Sequence, residues 1–245
     1  FAQQGYLVFF FFFNGCNMSE GKRIKGLTQG LIDLDYALRY IDSNERLKNM
    51  PKVLFGHSMG AFSVCNITSI NNSDIKAIVA LAPFKDEPSM IFEQFKAMTN
   101  VKYKIIYKLL VKYYKQRFGN LIKVNTIDSF KNSDVPHMIV AGDCDPMVDY
   151  FSNFNLFKEM LENNENYKFV SVEGRFHRPN LSLDAAQYDQ DTNVELQTIQ
   201  GEFKGKVPQE RIDKFYQSLD YNLLVKMDDQ VMTQISEFLD ANLNK

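Results

Sequence analysis

Tryptophan is absent from this 245-residue chain, and cysteine and histidine are scarce, with three residues of each. Cys16, Cys65 and Cys144 are too few and too scattered for a disulfide framework or a CxxC metal site, so they favour a reducing compartment, here the cytoplasm. Three histidines without ligand spacing predict no metal. Because the chain also has no phosphate loop and no dinucleotide fingerprint, we expect no cofactor.

An excess of charge of one sign is also missing. The chain has 28 basic and 30 acidic residues, a formal net charge of -2, which gives no support for a nucleic-acid binder. Apolar residues make up 45% of the chain, enough for a large core, which excludes disorder as its main state.

Phenylalanine, by contrast, is abundant: there are 21, and five of them are consecutive from Phe9 to Phe13. The apolar run 6–13 is too short to span a bilayer, and it lacks the basic region and the cleavage site of a signal peptide. Continuous apolar runs are typical of strands buried on both faces, so we predict a central parallel strand here. Gly5, just before it, is expected to end a helix.

Further short apolar runs predict strands at 53–55, 77–81, 138–141 and 169–172, and helical spacing predicts helices at about 27–41, at 148–161 and from Val231 onward. The alternation indicates an α/β fold with a mostly parallel sheet flanked by helices, in one domain over residues 1–245. A helical insertion at about 84–130 and a polar, mixed insertion at about 178–225 interrupt it. Both follow strand ends, where ligands bind in such sheets.

The strongest chemical motif is Gly56-His57-Ser58-Met59-Gly60, which matches G-x-S-x-G. An apolar strand precedes it and a helix of small residues follows, as in a nucleophile elbow, in which flanking glycines keep Cβ atoms out of a tight crossing. This context makes Ser58 the candidate nucleophile. The alternative is a plain strand-turn-helix connection with an incidental serine.

A nucleophilic serine needs a base. His177 lies in a loop after the last predicted strand and is the candidate, with a surface loop histidine as the alternative. His137 opens a strand, which favours a structural role. His57 adjoins Ser58, and we expect its side chain to point away from the serine and to contact substrate.

The base in turn needs an orienting acid from a loop between the serine and the histidine. Asp145 follows the strand 138–141 and precedes a proline that can start a helix, so it is the first candidate. Asp143 competes with it, and Asp149 is a third choice. The two aspartates that do not take this part are expected to cap helices.

The order Ser58, Asp145, His177 resembles that of the α/β-hydrolase superfamily. Residues 1–8, the glycine-bearing loop 14–21, Gly142-x-x-Asp145-x-x-Val148 and Gly174-x-x-His177 also resemble its segments, most closely those of small bacterial esterases, lipases and aminopeptidase-like hydrolases. The resemblance implies that Ser58 is the nucleophile, His177 the base and Asp145 the acid. The small-molecule substrate would be a carboxylic ester or a related acyl compound.

In the family, two backbone N–H groups stabilise the oxyanion. The resemblance assigns one of them to Met59, whereas the other comes from a loop after an upstream strand that has no counterpart here. We therefore expect the chain to be a truncated form of a longer enzyme that lacks its first strands.

The first insertion falls where the family places its lid. Residues 101–123 carry seven basic side chains and no acid, beside an apolar stripe at helical spacing. This pattern favours a cap helix with a solvated lysine face over a helix bound to a membrane surface. A shorter helix before it carries Met90, Phe92 and Phe95, which could line an acyl pocket or simply pack the cap.

Two other interpretations use the same residues. The triad would also serve an aminopeptidase, a thioesterase or an acyltransferase, because specificity lies in the lid. The other interpretation is a non-catalytic binding protein with this fold. The intact set of Ser, Asp and His argues against it.

Overall fold

The computed structural model describes residues 1–99 and 104–243. Its strands are β1 (Lys52–His57), β2 (Ile75–Leu81), β3 (His137–Gly142) and β4 (Tyr167–Val172). Its α-helices are α1 (Thr28–Ser43), α2 (Met59–Asn66), α3 (Glu87–Thr99), α4 (Lys104–Phe118), α5 (Thr126–Lys131), α6 (Leu156–Leu161), α7 (Leu183–Glu202), α8 (Gln209–Gln217), α9 (Tyr221–Leu224) and α10 (Asp229–Leu243).

The four strands form one parallel sheet in the order β1-β2-β3-β4. All four strands predicted after residue 50 are confirmed, and so are the helices predicted near residue 27 and from Val231. The helix predicted at 148–161 begins later, as a π-helical turn at Phe151–Asn155 that leads into α6. Parallel strands place their carboxyl ends along one edge, so the loops after β1, β3 and β4 lie together there.

Each face of the sheet carries its own core because successive side chains point to opposite sides. Ile78, Ala80 and Ile139 face a cluster that α1, α2, α5 and α6 complete. Their neighbours Val79 and Val140 face α10, which contributes Val231, Ile235 and Leu239. The predicted arrangement of a parallel sheet between helices is thus confirmed.

The phenylalanine run is the exception: residues 6–13 form no strand, and the prediction of a buried central strand was wrong. Alternate rings contact each other along the segment, Phe11 with Phe13 and Phe10 with Phe12. Within the described residues, however, no backbone hydrogen bond joins it to a strand. Without a ladder partner its side chains are not enclosed on both faces, and Phe10 is 75% exposed.

Before that run, Ala2–Gln4 form a 3₁₀ turn that ends at Gly5 with φ of 91°, as predicted for a glycine cap. Cys16, Cys65 and Cys144 are all free thiols. No helix among the described residues is long and apolar enough to cross a membrane.

The first insertion is helical, as predicted, and contains α3, α4 and α5. The basic stretch predicted as one helix over 101–123 is α4 followed by a 3₁₀ segment at Gly119–Lys123, while Val101, Lys102 and Tyr103 lie outside the described residues. The second insertion is more regular than the polar, mixed segment we predicted, since it forms α7, α8 and α9. Its helix α7 carries a long run of polar residues and buries only Ala185, Ala186 and Ile199, which explains why its sequence shows little apolar periodicity.

Candidate active site

Ser58 lies at the sharp turn between β1 and α2, half-buried, with φ of 55° and ψ of -115°. A residue other than glycine rarely adopts these backbone angles. Residues held in such conformations are strained and cluster at functional sites. The turn is held by two backbone bonds, because the Ser58 N–H donates to Leu81 O at 2.9 Å and the Phe62 N–H donates to Ser58 O at 2.9 Å. The backbone therefore fixes the serine in the geometry of a nucleophile elbow.

The two glycines of the motif, Gly56 and Gly60, differ in whether their position could hold a side chain. A Cβ at Gly56 would collide with the backbone of Gly60 and Ala61, so this position requires glycine. A Cβ at Gly60 would meet no atom within 4 Å. The prediction that both glycines keep side chains out of a crossing is correct for Gly56 and wrong for Gly60, whose contribution to the crossing comes from its backbone.

Met59 is the first residue of α2, and its N–H has no acceptor among the described residues. The first N–H groups of a helix have no partner within the helix, and the helix dipole favours negative charge near them. The Met59 N–H is therefore a free donor next to the Ser58 side chain.

Asp145 and His177 are joined directly: His177 Nδ1 lies 2.8 Å from Asp145 Oδ2. Because a carboxylate only accepts, Nδ1 carries the proton and Nε2 is left as the acceptor in the neutral ring. The other carboxylate oxygen, Oδ1, accepts from the N–H of Met147 at 2.7 Å and from that of Val148 at 3.0 Å. Three donors therefore hold the Asp145 carboxylate in one orientation. Only 2% of this side chain is exposed.

The competing aspartates make other contacts. Asp143 Oδ1 accepts from the Gly174 N–H at 2.8 Å, which ties the loop after β3 to the loop after β4. Asp149 caps the following turn by accepting from the N–H and hydroxyl of Ser152. The structure thus brings Asp145, and neither of the other two, to His177.

His57 connects the elbow to the histidine loop. Its Nε2–H donates to the carbonyl oxygen of His177 at 2.7 Å, and the two ring centroids are 4.7 Å apart. Burial, and then the neighbouring His177, lowers the pKa of His57, so the ring is neutral at pH 7. The sequence offered no signal for this contact between residues 120 positions apart.

The Ser58 hydroxyl makes no hydrogen bond to another group in residues 1–99 and 104–243. No direct hydrogen bond therefore joins the serine to the imidazole of His177 in the part of the chain that the structure describes. Such bonds between nucleophile and base often form only when substrate is bound.

The histidine loop has its own anchors. A Cβ at Gly142 would collide with the carbonyl groups of Arg175 and Phe176, so the loop passes directly over the end of β3. Arg175 donates from Nε to Leu181 O at 2.9 Å, and its Nη2 lies 2.9 Å from Asp228 Oδ2. The second insertion and the start of α10 thereby help to position His177.

His137 is fully buried at the start of β3, as its predicted structural role requires. Its Nδ1–H donates to Val135 O at 2.6 Å, its ring stacks on Tyr167, and Nε2 has no partner. Burial lowers its pKa to about 4.

The residues predicted to contact substrate lie on α3 and differ in their contacts. Met90 is buried against Phe62, Phe84 and Val148, between the elbow helix and the loop that carries Asp145. The ring of Phe92 contacts Tyr107 of α4. Phe95 is half-buried on the same helix. Their contact with a substrate stays a prediction, as does that of His57.

The architecture and the order of these loops define an α/β-hydrolase fold. The family model described as serine aminopeptidase, S33 matches residues 1–162. The chain therefore belongs to this family, and it is a hydrolase. No curated protein matched the chain.

Several solved structures are similar in fold. An esterase from Pyrococcus furiosus is 17% identical, with 78% of this chain and 68% of that chain covered and a TM-score of 0.48. Est1E from Butyrivibrio proteoclasticus, in complex with ferulic acid, is 20% identical, with 67% and 66% covered and a TM-score of 0.49. A monoacylglycerol lipase from Paleococcus ferrophilus is 15% identical, with 67% and 72% covered and a TM-score of 0.40.

Proposed function

We propose that this hydrolase cleaves carboxylic esters or related acyl compounds through Ser58, His177 and Asp145. The observation that carries the proposal is the pairing of a strained serine at an elbow with a histidine whose Nδ1–H is held by a buried carboxylate. A serine hydroxyl is a weak nucleophile until a base accepts its proton, and a base works best when a third group fixes its tautomer.

In this mechanism the Ser58 Oγ attacks the acyl carbonyl while Nε2 of His177 takes the hydroxyl proton. Asp145 stabilises the imidazolium that forms, and the N–H of Met59 donates to the developing oxyanion. His177 then gives its proton to the leaving alcohol, which departs and leaves an acyl group on Ser58. Water attacks that ester with His177 again as base, and the acid product is released.

The first insertion is proposed to act as a lid over an acyl pocket. Support comes from the apolar cluster of Phe62, Phe84, Met90 and Val148, which lies between α3, the elbow helix and the Asp145 loop. This packing holds the insertion against the two elements that carry Ser58 and Asp145.

Aminopeptidase activity is the second candidate, because the matching family model carries that description. An aminopeptidase must pair the substrate's ammonium group with a carboxylate. Glu93 of α3 is a half-buried carboxyl group without a hydrogen bond or ion pair among the described residues, and burial, and then Asp149, raises its pKa.

The test compares p-nitrophenyl acetate and butyrate with L-alanine p-nitroanilide, and it measures labelling by a fluorophosphonate probe. We expect ester turnover and probe labelling, both lost in Ser58→Ala and both kept in the matched control Ser43→Ala, an exposed serine at the end of α1. Turnover of the anilide alone would favour the aminopeptidase. Labelling that persists in Ser58→Ala would refute the nucleophile, and a wild-type protein that neither labels nor turns over would favour a binding protein.

A further inference from the structure

A cavity of about 370 Å³ lies between the loop 23–27 and the helices α3 and α4. Ser58, Asp145 and His177 do not line it. Ligand sites in proteins commonly start at about 300 Å³. The cavity is therefore large enough for a molecule the size of a substituted benzene ring.

The charged side chains that line this cavity are all basic: Arg23 and Lys25 from the loop, and Arg117 from α4. Within the part of the chain that the structure describes, none of the three forms an ion pair. The guanidinium of Arg117 lies 4.6 Å from the centre of the Tyr113 ring, and stacking of this kind leaves its in-plane N–H groups free to donate. Three cations without an ion pair at one cavity match an anionic group.

The remaining walls are apolar or aromatic. Ile24 and Leu27 come from the loop, Ile91 from α3, and the rings of Tyr113 and Tyr114 from α4. An inorganic anion would leave these surfaces in contact with water. An anion that carries an apolar or aromatic group would cover them.

The walls are fixed to each other by Glu87, the first residue of α3. Its carboxylate accepts from the N–H groups of Leu27 at 2.8 Å and Thr28 at 2.9 Å, and from the Thr28 hydroxyl at 2.5 Å. A Cβ at Gly26 would collide with Glu87, Phe118 and Tyr114. The loop and the helices therefore form one packed junction beside the cavity.

Glu87 also places a negative charge close to the cavity, and burial followed by this charge raises the pKa of Tyr114. Both Glu87 oxygens already accept bonds, and only 1% of the residue is exposed, so it does not face a ligand. With its pKa raised, Tyr114 keeps its hydroxyl proton and stays a donor. A ligand in the cavity would therefore contact the basic side chains Arg23, Lys25 and Arg117, and not Glu87.

We propose that this cavity binds a small organic anion, a phosphate or carboxylate attached to an apolar or aromatic group. The anion is held by Arg23, Lys25 and Arg117, and the apolar group lies against Tyr113 and Ile91. Because the walls come from both the loop and the insertion, an occupant joins the insertion to the body of the fold.

Isothermal titration with phenyl phosphate tests the proposal, with benzoate and inorganic phosphate as separate arms that identify the anionic group and the need for the ring. We expect phenyl phosphate or benzoate to bind at least about tenfold more tightly than inorganic phosphate. Each of Arg23→Gln and Arg117→Gln should weaken binding by about tenfold or more, the usual value for a charge-assisted hydrogen bond. Ser58→Ala should bind as the wild type does, so failure of the proposed hydrolysis does not affect this result.

The matched control is Lys112→Gln, which removes the same charge from an exposed position of α4 outside the cavity. An affinity change below about twofold in this variant supports the proposal. An equal loss in Lys112→Gln and Arg117→Gln would overturn it, since that result indicates general attraction to a basic face. Absence of phenyl phosphate and benzoate binding, with or without binding to phosphatidylglycerol vesicles, would also overturn it.

Discussion

The two sides of the candidate site are built differently. The side of the proposed nucleophile consists of five consecutive residues, and the main chain sets its geometry through the Ser58 dihedral angles, the crossing at Gly56 and the helix end at Met59. The side proposed for proton transfer joins two loops 32 residues apart, and side-chain hydrogen bonds to Asp145 and His177 set its geometry. A local motif can specify backbone geometry. The contact between Asp145 and His177, by contrast, forms only once the sheet has aligned β3 and β4.

The largest expected effect sharpens this comparison by separating strain from chemistry at Ser58. Both Ser58→Ala and Ser58→Gly should reduce kcat/KM by about 10⁴-fold or more, since the proposed nucleophile is lost. Glycine tolerates φ of 55° without strain, so Ser58→Gly should be about 1 kcal/mol more stable to urea than Ser58→Ala. Equal stability of the two variants would show that the turn is not strained.

The next effect concerns the proton-transfer side. Asp145→Asn should lower kcat by about 10³–10⁴-fold, because an amide can leave the imidazole in the wrong tautomer while it keeps the local shape. Asp143→Asn, the matched control two residues away, should lower kcat less than about tenfold, since Asp143 bonds to the Gly174 N–H and to the Cys144 side chain and not to His177. The reverse order in steady-state assays would assign the acid to Asp143.

Stability tests the main-chain construction of the elbow. Gly56→Ala should destabilise the fold by about 3 kcal/mol or more, because its Cβ would collide with backbone that cannot move aside cheaply. Gly60→Ala places a methyl group in open space and should cost no more than about 0.5 kcal/mol. Urea unfolding of the two variants measures the difference, and similar losses would contradict the asymmetry.

The pH dependence of stability tests His137, a buried histidine at the start of β3, at the edge of the sheet opposite the candidate site. The pKa of His137 is lowered to about 4 from an ordinary 6.5, so the unfolded chain binds its proton at higher pH than the folded chain. The contribution of His137 to the free energy of unfolding is fully present above pH 6.5 and is lost as pH falls toward 4. The loss amounts to about 2 kcal/mol between pH 7 and pH 5.

His137→Phe keeps an aromatic ring against Tyr167 and removes the titrating group. Its free energy of unfolding should therefore change less between pH 7 and pH 5 than that of the wild type. His57, whose pKa is lowered in the same direction, provides the comparison, since His57→Gln should flatten the profile less. An unchanged profile in His137→Phe would contradict the assignment.

The smallest effect concerns the residue that links the two sides. His57→Phe removes the donor to His177 O and should lower kcat about tenfold with little change in KM, because one neutral hydrogen bond contributes about 1 kcal/mol. His57→Gln places an amide N–H near the same position and should restore most of the rate. A loss that is equal in both variants would indicate that packing, and not the bond, is what His57 supplies.

Much of the fold could be predicted because buried strands leave a direct signal. The runs that became β2 and β3 are continuously apolar and flanked by helical segments, and each found a partner on both sides. The run 6–13 carries the same signal and is even more apolar, yet it is not a strand. Apolar composition reports a tendency to be buried, but a strand also needs a neighbour for its N–H and C=O groups.

The site was predictable to the extent that its pattern is local. The motif around Ser58 located the turn, and chain order made His177 the candidate base and Asp145 the first of three candidate acids, and the structure places these two side chains 2.8 Å apart. The contacts of His57 with His177 and of Arg175 with Asp228 join residues 120 and 53 positions apart. No spacing rule covers such distances, so sequence analysis could not find them.

By itself the sequence determined the parallel strands, the helices that follow them and the position of the elbow, because short-range periodicity and turn chemistry specify these elements. Only the tertiary structure decided which of three aspartates meets His177, that Gly56 but not Gly60 must lack a side chain, and that the phenylalanine run stays outside the sheet. The reason is that these outcomes depend on which segments become neighbours in space. Partners of this kind are chosen by the packing of the whole chain.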